Sequence, residues 1–431
     1  MKLIYLVGAG LFLFAGCFAG GSRDNVSSGN IVKVEGTKGN WRLTVNGENF
    51  DLKGVGVGRA AGEDGTDYLF MAKEMGANSV RTWGTDQGSA EYLRTAREYG
   101  LYVDAGVWFN SVYEDGKCSY ITDWKYVNER REETLDYIKE NMGNPAILFW
   151  NLGNETIFFT KNEEERIGFC KFLEELIRDV HKIDPNHPVI YTTSFTTAVD
   201  YVKKYVPSLD ILGINIYGGL PAAHKKITQE LDIPYIVTEY GPYGPWNSAK
   251  DANMKSVELS DKLKSNLYVG LSEQIKKYGG YCLGGYVFHL GDTTQESRTW
   301  WNLSYKSQKK LPYLRMQSFY TGRRIENQPP LVRNLILSRY KNLQPGEKIH
   351  AEVEYSEPEN ENVKFSYFAS TAKEGILAHY VNEEVPVAVD GDGSSVDITV
   401  PSAGGIYRIY VLAEDESGNV STYSKTVSVS E

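Results

Sequence analysis

A chain of 431 residues, 41% apolar and 24% charged, has the balance of an ordinary globular protein and length for one large domain or two. Its formal charge of -10 excludes the basic surface that nucleic acid requires for counterion displacement, so no nucleic-acid partner is expected. The 30 Tyr, 16 Phe and 8 Trp residues mostly fill a core, but a minority are available to stack on the apolar C–H faces of sugar rings.

In chain order, Lys2, the apolar run Leu3 to Phe14 and the small residues Ala15 and Gly16 form a targeting segment, too short for an ordinary transmembrane helix. "FAGC" resembles a bacterial lipobox. Residues 1–16 are therefore read as a lipoprotein signal peptide, with Cys17 as the lipidated first residue of the mature chain, and 17–30 as a flexible tether. A plain secretory signal is the alternative. The reading implies a lipid anchor to the membrane and a place in the cell envelope. Cys118, Cys170 and Cys282 are an odd number and fit no zinc spacing; Cys170 and Cys282 read as core residues, Cys118 as an exposed loop thiol.

From residue 50 onward, short apolar strands alternate with amphipathic helices. Strands are predicted over 51–58, 77–84, 101–109, 145–155, 189–195, 211–218, 233–241 and 282–290. Helices are predicted over 67–76, 89–100, 124–143, 164–184, 198–206, 222–231 and from about 254 to 278, with one near Tyr313–Tyr320 closing the set. Eight such units predict an α/β fold, a (β/α)8 TIM barrel over residues 31–327. "GVGVGRAAG" does not open a dinucleotide fold, because Arg81 rather than an acid ends the second strand.

Past Pro329 and Pro330 the period changes to two. "KIHAEVEYS", "VKFSYFAST", "SVDITVPS" and "GIYRIYVLAED" predict a small all-β sandwich over 328–431, whose last hairpin, "AEDESGNVST", resembles that of bacterial immunoglobulin-like modules. "DGDGSSVD" lacks the closing Glu of a calcium loop and reads as a hairpin turn. This module is expected to act as a spacer.

The chemistry is expected at the C-terminal ends of the barrel strands. "ILFWNLGNET" is a buried strand that ends on Asn154 and Glu155; "VTEYG" places Glu239 at the end of the seventh strand. Two carboxylates converging on one mouth are the apparatus of glycoside hydrolysis, one protonating the leaving oxygen while the other attacks the anomeric carbon. Taken alone, either glutamate could instead be a helix-capping carboxylate.

The two motifs, 239 − 155 = 84 residues apart, resemble the catalytic signature of clan A glycoside hydrolases. The resemblance covers roughly residues 40–320 and implies Glu155 as acid/base, following Asn154, and Glu239 as nucleophile. It further implies Arg81 beside the nucleophile and Tyr217 hydrogen-bonded to it. "WRLTVNGENFDLKGVGVG" resembles the lead-in of family 2 and family 72 barrels. Clan members usually end the eighth strand on a Trp platform; here Phe288 and His289 stand there, leaving Trp300, Trp301 or Tyr286 as candidates. A family 2 enzyme would also carry a jelly-roll domain before the barrel, and the layout is closer to endo-type bacterial β-glucanases. Trp83, Trp108 and Trp246, at strand ends or in the loops after them, are candidates to line a sugar cleft, with His289 in its wall. Asp86, Asp104 and Asp292 are candidates for binding sugar hydroxyls.

The resemblance thus implies a retaining hydrolase of β-linked glucan, β-1,3-glucan first, with β-mannan, β-1,4-glucan and β-galactoside open; it is expected to act on a polysaccharide or oligosaccharide as a monomer with no metal or redox cofactor. A glucan transglycosylase and a non-catalytic surface glycan binder are the alternatives.

Overall fold

The computed structural model describes residues 29–112, 118–160, 162–194, 196–292, 297–374 and 381–431. The signal segment, Cys17 and nearly all of the tether lie outside the described residues. Among the described residues no helix is long and apolar enough to cross a membrane.

Eight parallel strands close into a barrel in sequence order: Leu52–Gly56, Ser79–Arg81, Tyr102–Val107, Ile147–Asn154, Val189–Thr193, Ile211–Ile216, Tyr235–Tyr240 and Cys282–Val287. The eighth returns to the first, with Gly284 opposite Leu52. The strands are near-continuous apolar runs because both faces are covered, one by the barrel interior and one by the helix ring. The fourth shows this fully, with every residue from Ile147 to Gly153 buried.

Inside the lower half of the barrel, Leu52, Leu148, Ile190, Ile236 and Tyr286 form one cluster with Val32, Leu43 and Val45. The last three belong to a three-stranded antiparallel sheet, Val32–Glu35, Arg42–Val45 and Glu48–Asn49, which closes that end. Its tight turn runs through Asn46 and Gly47, both at positive φ (52° and 84°), the conformation that an Asn-Gly hairpin favours. The bottom is therefore plugged, and the strands' C-terminal ends are left as the open mouth.

Most predicted helices are present, including the closing one, Leu311–Thr321. The helix expected from about 254 starts only at Asp261. The residues before it form irregular backbone against the C-terminal sheets, with Met254 at φ 60°. Cys118, expected to be exposed, is buried like Cys170 and Cys282.

The C-terminal region is two four-stranded antiparallel sheets sharing a core around Leu335, Ile349, Ile398, Ile409 and Val411. One orders Leu331–Leu337, Lys348–Ser356, Ser395–Thr399 and Ala388–Asp390; the other orders Glu384–Val385, Lys364–Thr371, Gly405–Glu414 and Val420–Val429. The strand Leu331–Leu337 was not predicted. An irregularity between Val332 and Asn334 spaces its buried residues 332 and 335 by three, which hides the period of two. "DGDGSSVD" is the expected hairpin, pairing Asp390 with Asp397.

Candidate active site

Glu239 is the penultimate residue of the seventh strand and is buried. Its Oε1 accepts hydrogen bonds from Arg81 Nη1 and from Trp83 Nε1, each at 2.7 Å, and its Oε2 accepts one from the Tyr217 hydroxyl at 2.8 Å. Three donors from the second and sixth strands thus fix a carboxylate whose two oxygens both act as acceptors, as those of an ionised group do. The Arg81 guanidinium also lies over the Trp83 ring, 4.9 Å from its centroid. Gly56 makes this packing possible, since a Cβ there would meet Trp83 Cη2 at 2.7 Å. That close approach accounts for one glycine of "GVGVG".

Glu155 follows the fourth strand in the left-handed region, at φ 57° and ψ 17°. A non-glycine residue there is uncommon and marks a site the surrounding structure must over-determine. It occupies the N-cap position of the short helix Thr156–Phe159, but its side chain makes no capping hydrogen bond. The carboxylate instead accepts a 2.6 Å hydrogen bond from Asn215 Nδ2. Capping is thereby excluded as the role of Glu155.

The two glutamates are joined through amides. Arg81 Nη2 donates to Asn154 Oδ1 at 2.8 Å, and Asn215 Nδ2 reaches the same oxygen at 3.2 Å while holding Glu155. Asn215 is oriented in turn by the Thr238 hydroxyl, which donates to its Oδ1 at 2.9 Å. Burial, reinforced by the negative charge of Glu239, pushes the Glu155 carboxyl up to about 7, against the opposing pull of the Asn215 hydrogen bond and Arg81. One carboxyl is kept protonated toward neutral pH while the other is held by a guanidinium. This is the division between acid and nucleophile that two-carboxylate chemistry needs.

Asn215 was not among the residues picked from the sequence. Its signal was available: strand side chains alternate, so in "INIYG" Asn215 faces the same way as Tyr217. Replacing Asn215 with Ala removes the hydrogen bond that favours ionised Glu155. The alkaline limb of the pH–rate profile is expected to move upward, with kcat reduced by about tenfold or more through loss of orientation. An unmoved limb would show that Asn215 does not act on Glu155.

The other predicted residues separate into two groups. Trp108 and Trp246, in the loops after the third and seventh strands, are 45% and 46% exposed. The Trp246 ring packs edge-on to Tyr217, so it continues the wall of the Glu239 pocket outward. Trp300, a candidate sugar platform, is only 2% exposed and donates from Nε1 to the Tyr243 carbonyl at 2.9 Å. A ring enclosed this way offers no face to a ligand, and the platform assignment is corrected. Trp301 is buried too, but it touches Tyr217, Trp246 and Phe288 and so backs the site. Tyr286 sits deep in the barrel on Ser79 and is no platform either. Phe288 takes the mouth position, edge-on to both Trp83 and Tyr217.

His289 is buried, which lowers its imidazole to about 4 and keeps it neutral. That suits a wall residue. Asp104 lies wholly inside the barrel, where Asn151 donates to it at 3.1 Å and Arg81 Nε is 3.7 Å away. Burial raises its carboxyl to about 7, and it supports Arg81 rather than reaching a sugar hydroxyl. Among the described residues no group of three or more His, Cys, Asp or Glu side chains is placed to hold a metal ion.

Comparison with known proteins agrees with this barrel. Residues 38–247, just under half the chain, match the family model of the glycosyl hydrolases family 2, TIM barrel domain. Among solved structures the chain is similar to an FMN-binding β-glucuronidase from Facaelibacterium prausnitzii L2-6, with 18% identity, a TM-score of 0.53, and coverage of 93% of this chain and 59% of that one. A second is a β-glucuronidase from an uncultured Clostridium sp., with 17% identity, a TM-score of 0.52, and coverage of 68% of this chain and 54% of that one. The chain therefore spans less than two thirds of these proteins, and at such identities the likeness is one of fold. No curated protein matches in sequence.

Proposed function

We propose that the protein is a retaining glycoside hydrolase that cleaves β-linked glucan internally, with Glu239 as nucleophile and Glu155 as acid/base. The observation that carries this reading is the pair itself: two carboxyls at the ends of the fourth and seventh strands, tied through Arg81, Asn154 and Asn215, in environments that hold one proton on Glu155. In the first step Glu239 attacks the anomeric carbon and Glu155 gives its proton to the departing oxygen. In the second, water gives its proton to Glu155 and displaces Glu239.

The aromatic residues support a chain-like substrate. The third and seventh strands stand four apart in a closed ring of eight, so Trp108 and Trp246 lie on opposite sides of the mouth. Exposed faces on both sides suit a polymer with sugar units on each side of the broken bond. Among the described residues no lysine or arginine hydrogen-bonds Glu155, and Arg81 is committed to Glu239 and Asn154, which suits a neutral glucan. The β-1,3 linkage rests on the resemblance to family 72 barrels alone. A lipid anchor at Cys17 would place the activity at the cell envelope.

The test is product analysis on defined β-1,3- and β-1,4-glucans, β-mannan and β-galactosides. Internal cleavage to mixed oligosaccharides, with the β-anomer formed first, is expected. Release of single sugars from one end would overturn internal cleavage, and initial α-anomer would overturn retention. Products longer than the substrate would mean that transfer competes with water. Binding without turnover on every substrate would establish the glycan-binder reading.

A further inference from the structure

The C-terminal sheets do not hang free of the barrel. Two loops at the mouth are bonded to them, and these loops carry the aromatic wall. In the loop after the seventh strand, the Ser256 amide donates to Glu374 Oε1 at 2.6 Å and the Ser256 carbonyl accepts from Arg408 Nη2 at 3.0 Å. Lys250 pairs with Glu374 Oε2 at 2.9 Å, and Asn253 Nδ2 donates to Thr426 Oγ1 at 3.0 Å. The same Ser256 then reaches back with its own hydroxyl to the Pro245 carbonyl at 3.0 Å. Pro245 begins the single turn Pro245–Asn247 that presents Trp246.

The loop after the eighth strand is held in parallel. The Arg298 amide donates to the Tyr410 hydroxyl at 3.1 Å, and its guanidinium pairs with Glu384 at 3.0 Å. Between the two loops Glu258 accepts from Ser297 and Thr299 on the barrel side and from Ser424 on the sheet side. Burial opposes the charge of Glu258, but Lys264, Arg408 and Lys310 outweigh it and hold its carboxyl at about 2. A junction so full of buried charge is satisfied only in one arrangement, since removing any partner leaves another unpaired.

We infer that the C-terminal module is a working part of the sugar cleft: Glu374 and Arg408 are positioning residues that set the Trp246 platform through Ser256 and Pro245. The inference rests on the proposed function for the identity of what binds, and it replaces the expectation of a passive spacer. Neither residue touches the reacting centre, so their effect is on binding of an extended chain and not on bond cleavage.

The test uses the full chain with Glu374→Ala, and Glu374→Gln as the variant that keeps an acceptor for the Ser256 amide. Hydrogen–deuterium exchange at 245–257 is expected to quicken in Glu374→Ala and stay near the parent in Glu374→Gln. With a β-1,3-gluco-hexasaccharide, KM should rise about tenfold in Glu374→Ala while kcat stays within about twofold, a loss of about 1.4 kcal/mol in binding. Trp246→Ala should raise KM alike, and the double variant should be no worse than Trp246→Ala alone. Unchanged exchange, or quickened exchange with KM unmoved, would overturn the inference, as would effects of the two substitutions that simply add. If the parent turns over no β-glucan, the functional reading fails, and the exchange comparison alone upholds or overturns the link from Glu374 to the Trp246 loop.

Discussion

Glu239→Gln should reduce turnover by at least about four orders of magnitude, as removal of a nucleophile does elsewhere, while oligosaccharide binding persists. The substitution is close to neutral in shape. The Gln carbonyl can accept from Arg81 and Trp83 as Glu239 Oε1 does, and its amide can donate to the Tyr217 hydroxyl, which then turns to act as acceptor. The lost quantity is the negative charge, and with it, on the proposed mechanism, the covalent glycosyl-enzyme. Arg81 is then left with Asp104 at 3.7 Å as its remaining counter-charge, so some stability should be lost as well. Loss of a buried ion partner costs up to about 3–5 kcal/mol, and retained hydrogen bonding should keep Glu239→Gln below that while Glu239→Ala approaches it. Thermal unfolding of both variants checks this part, and isothermal titration with an oligosaccharide checks binding. Turnover within tenfold of the parent would remove Glu239 from the mechanism.

The parts of this architecture that were legible from sequence share a physical cause. Strands buried on both faces must be apolar throughout, so the eight barrel strands stand out as short runs between amphipathic helices, and the two glutamates stand out as charges at the ends of such runs. Contacts made across the fold leave no such mark. Nothing local distinguishes Trp300, which is enclosed, from Trp246, which is open; the difference is that Trp300 is tied to the Tyr243 carbonyl. The helix expected from about 254 carried its period into residues that the fold spends on Thr426 and Glu374 instead. Asp104 lies mid-strand, not at the mouth, and its carboxyl sits inward under Arg81. Asn215 is a different case: Tyr217 stands out by resemblance, and the strand period of two places Asn215 on the same face as Tyr217. An amide does not titrate, yet what this one does is act on the titration of its neighbour Glu155.

The second large effect is expected at Glu155, and it should depend on what is being cleaved. Glu155→Gln removes the proton that a sugar leaving group needs, so hydrolysis of glucan should fall by about 10²–10⁴-fold. An activated aryl β-glycoside, whose phenolate leaves without a proton, should lose far less in its first step. The glycosyl-enzyme on Glu239 would then accumulate, because no base remains to take the proton of the attacking water. Azide needs no base, and its addition should restore turnover in Glu155→Gln and not in Glu239→Gln, releasing a β-glycosyl azide. The same residue links activity to stability. Burial and the charge of Glu239 raise its carboxyl from 4.5 to about 7 in the fold, so the folded state holds this proton more tightly than the unfolded chain. The stabilisation is complete below about pH 4.5 and is lost as pH rises through about 7. Glu155→Gln, which never ionises, should therefore gain melting temperature relative to the parent as pH is raised from 4 to 8. A difference that stayed flat over that range would mean that Glu155 is not forced to hold its proton. The general-acid role would then lose its physical basis, whatever the kinetics of the variant showed.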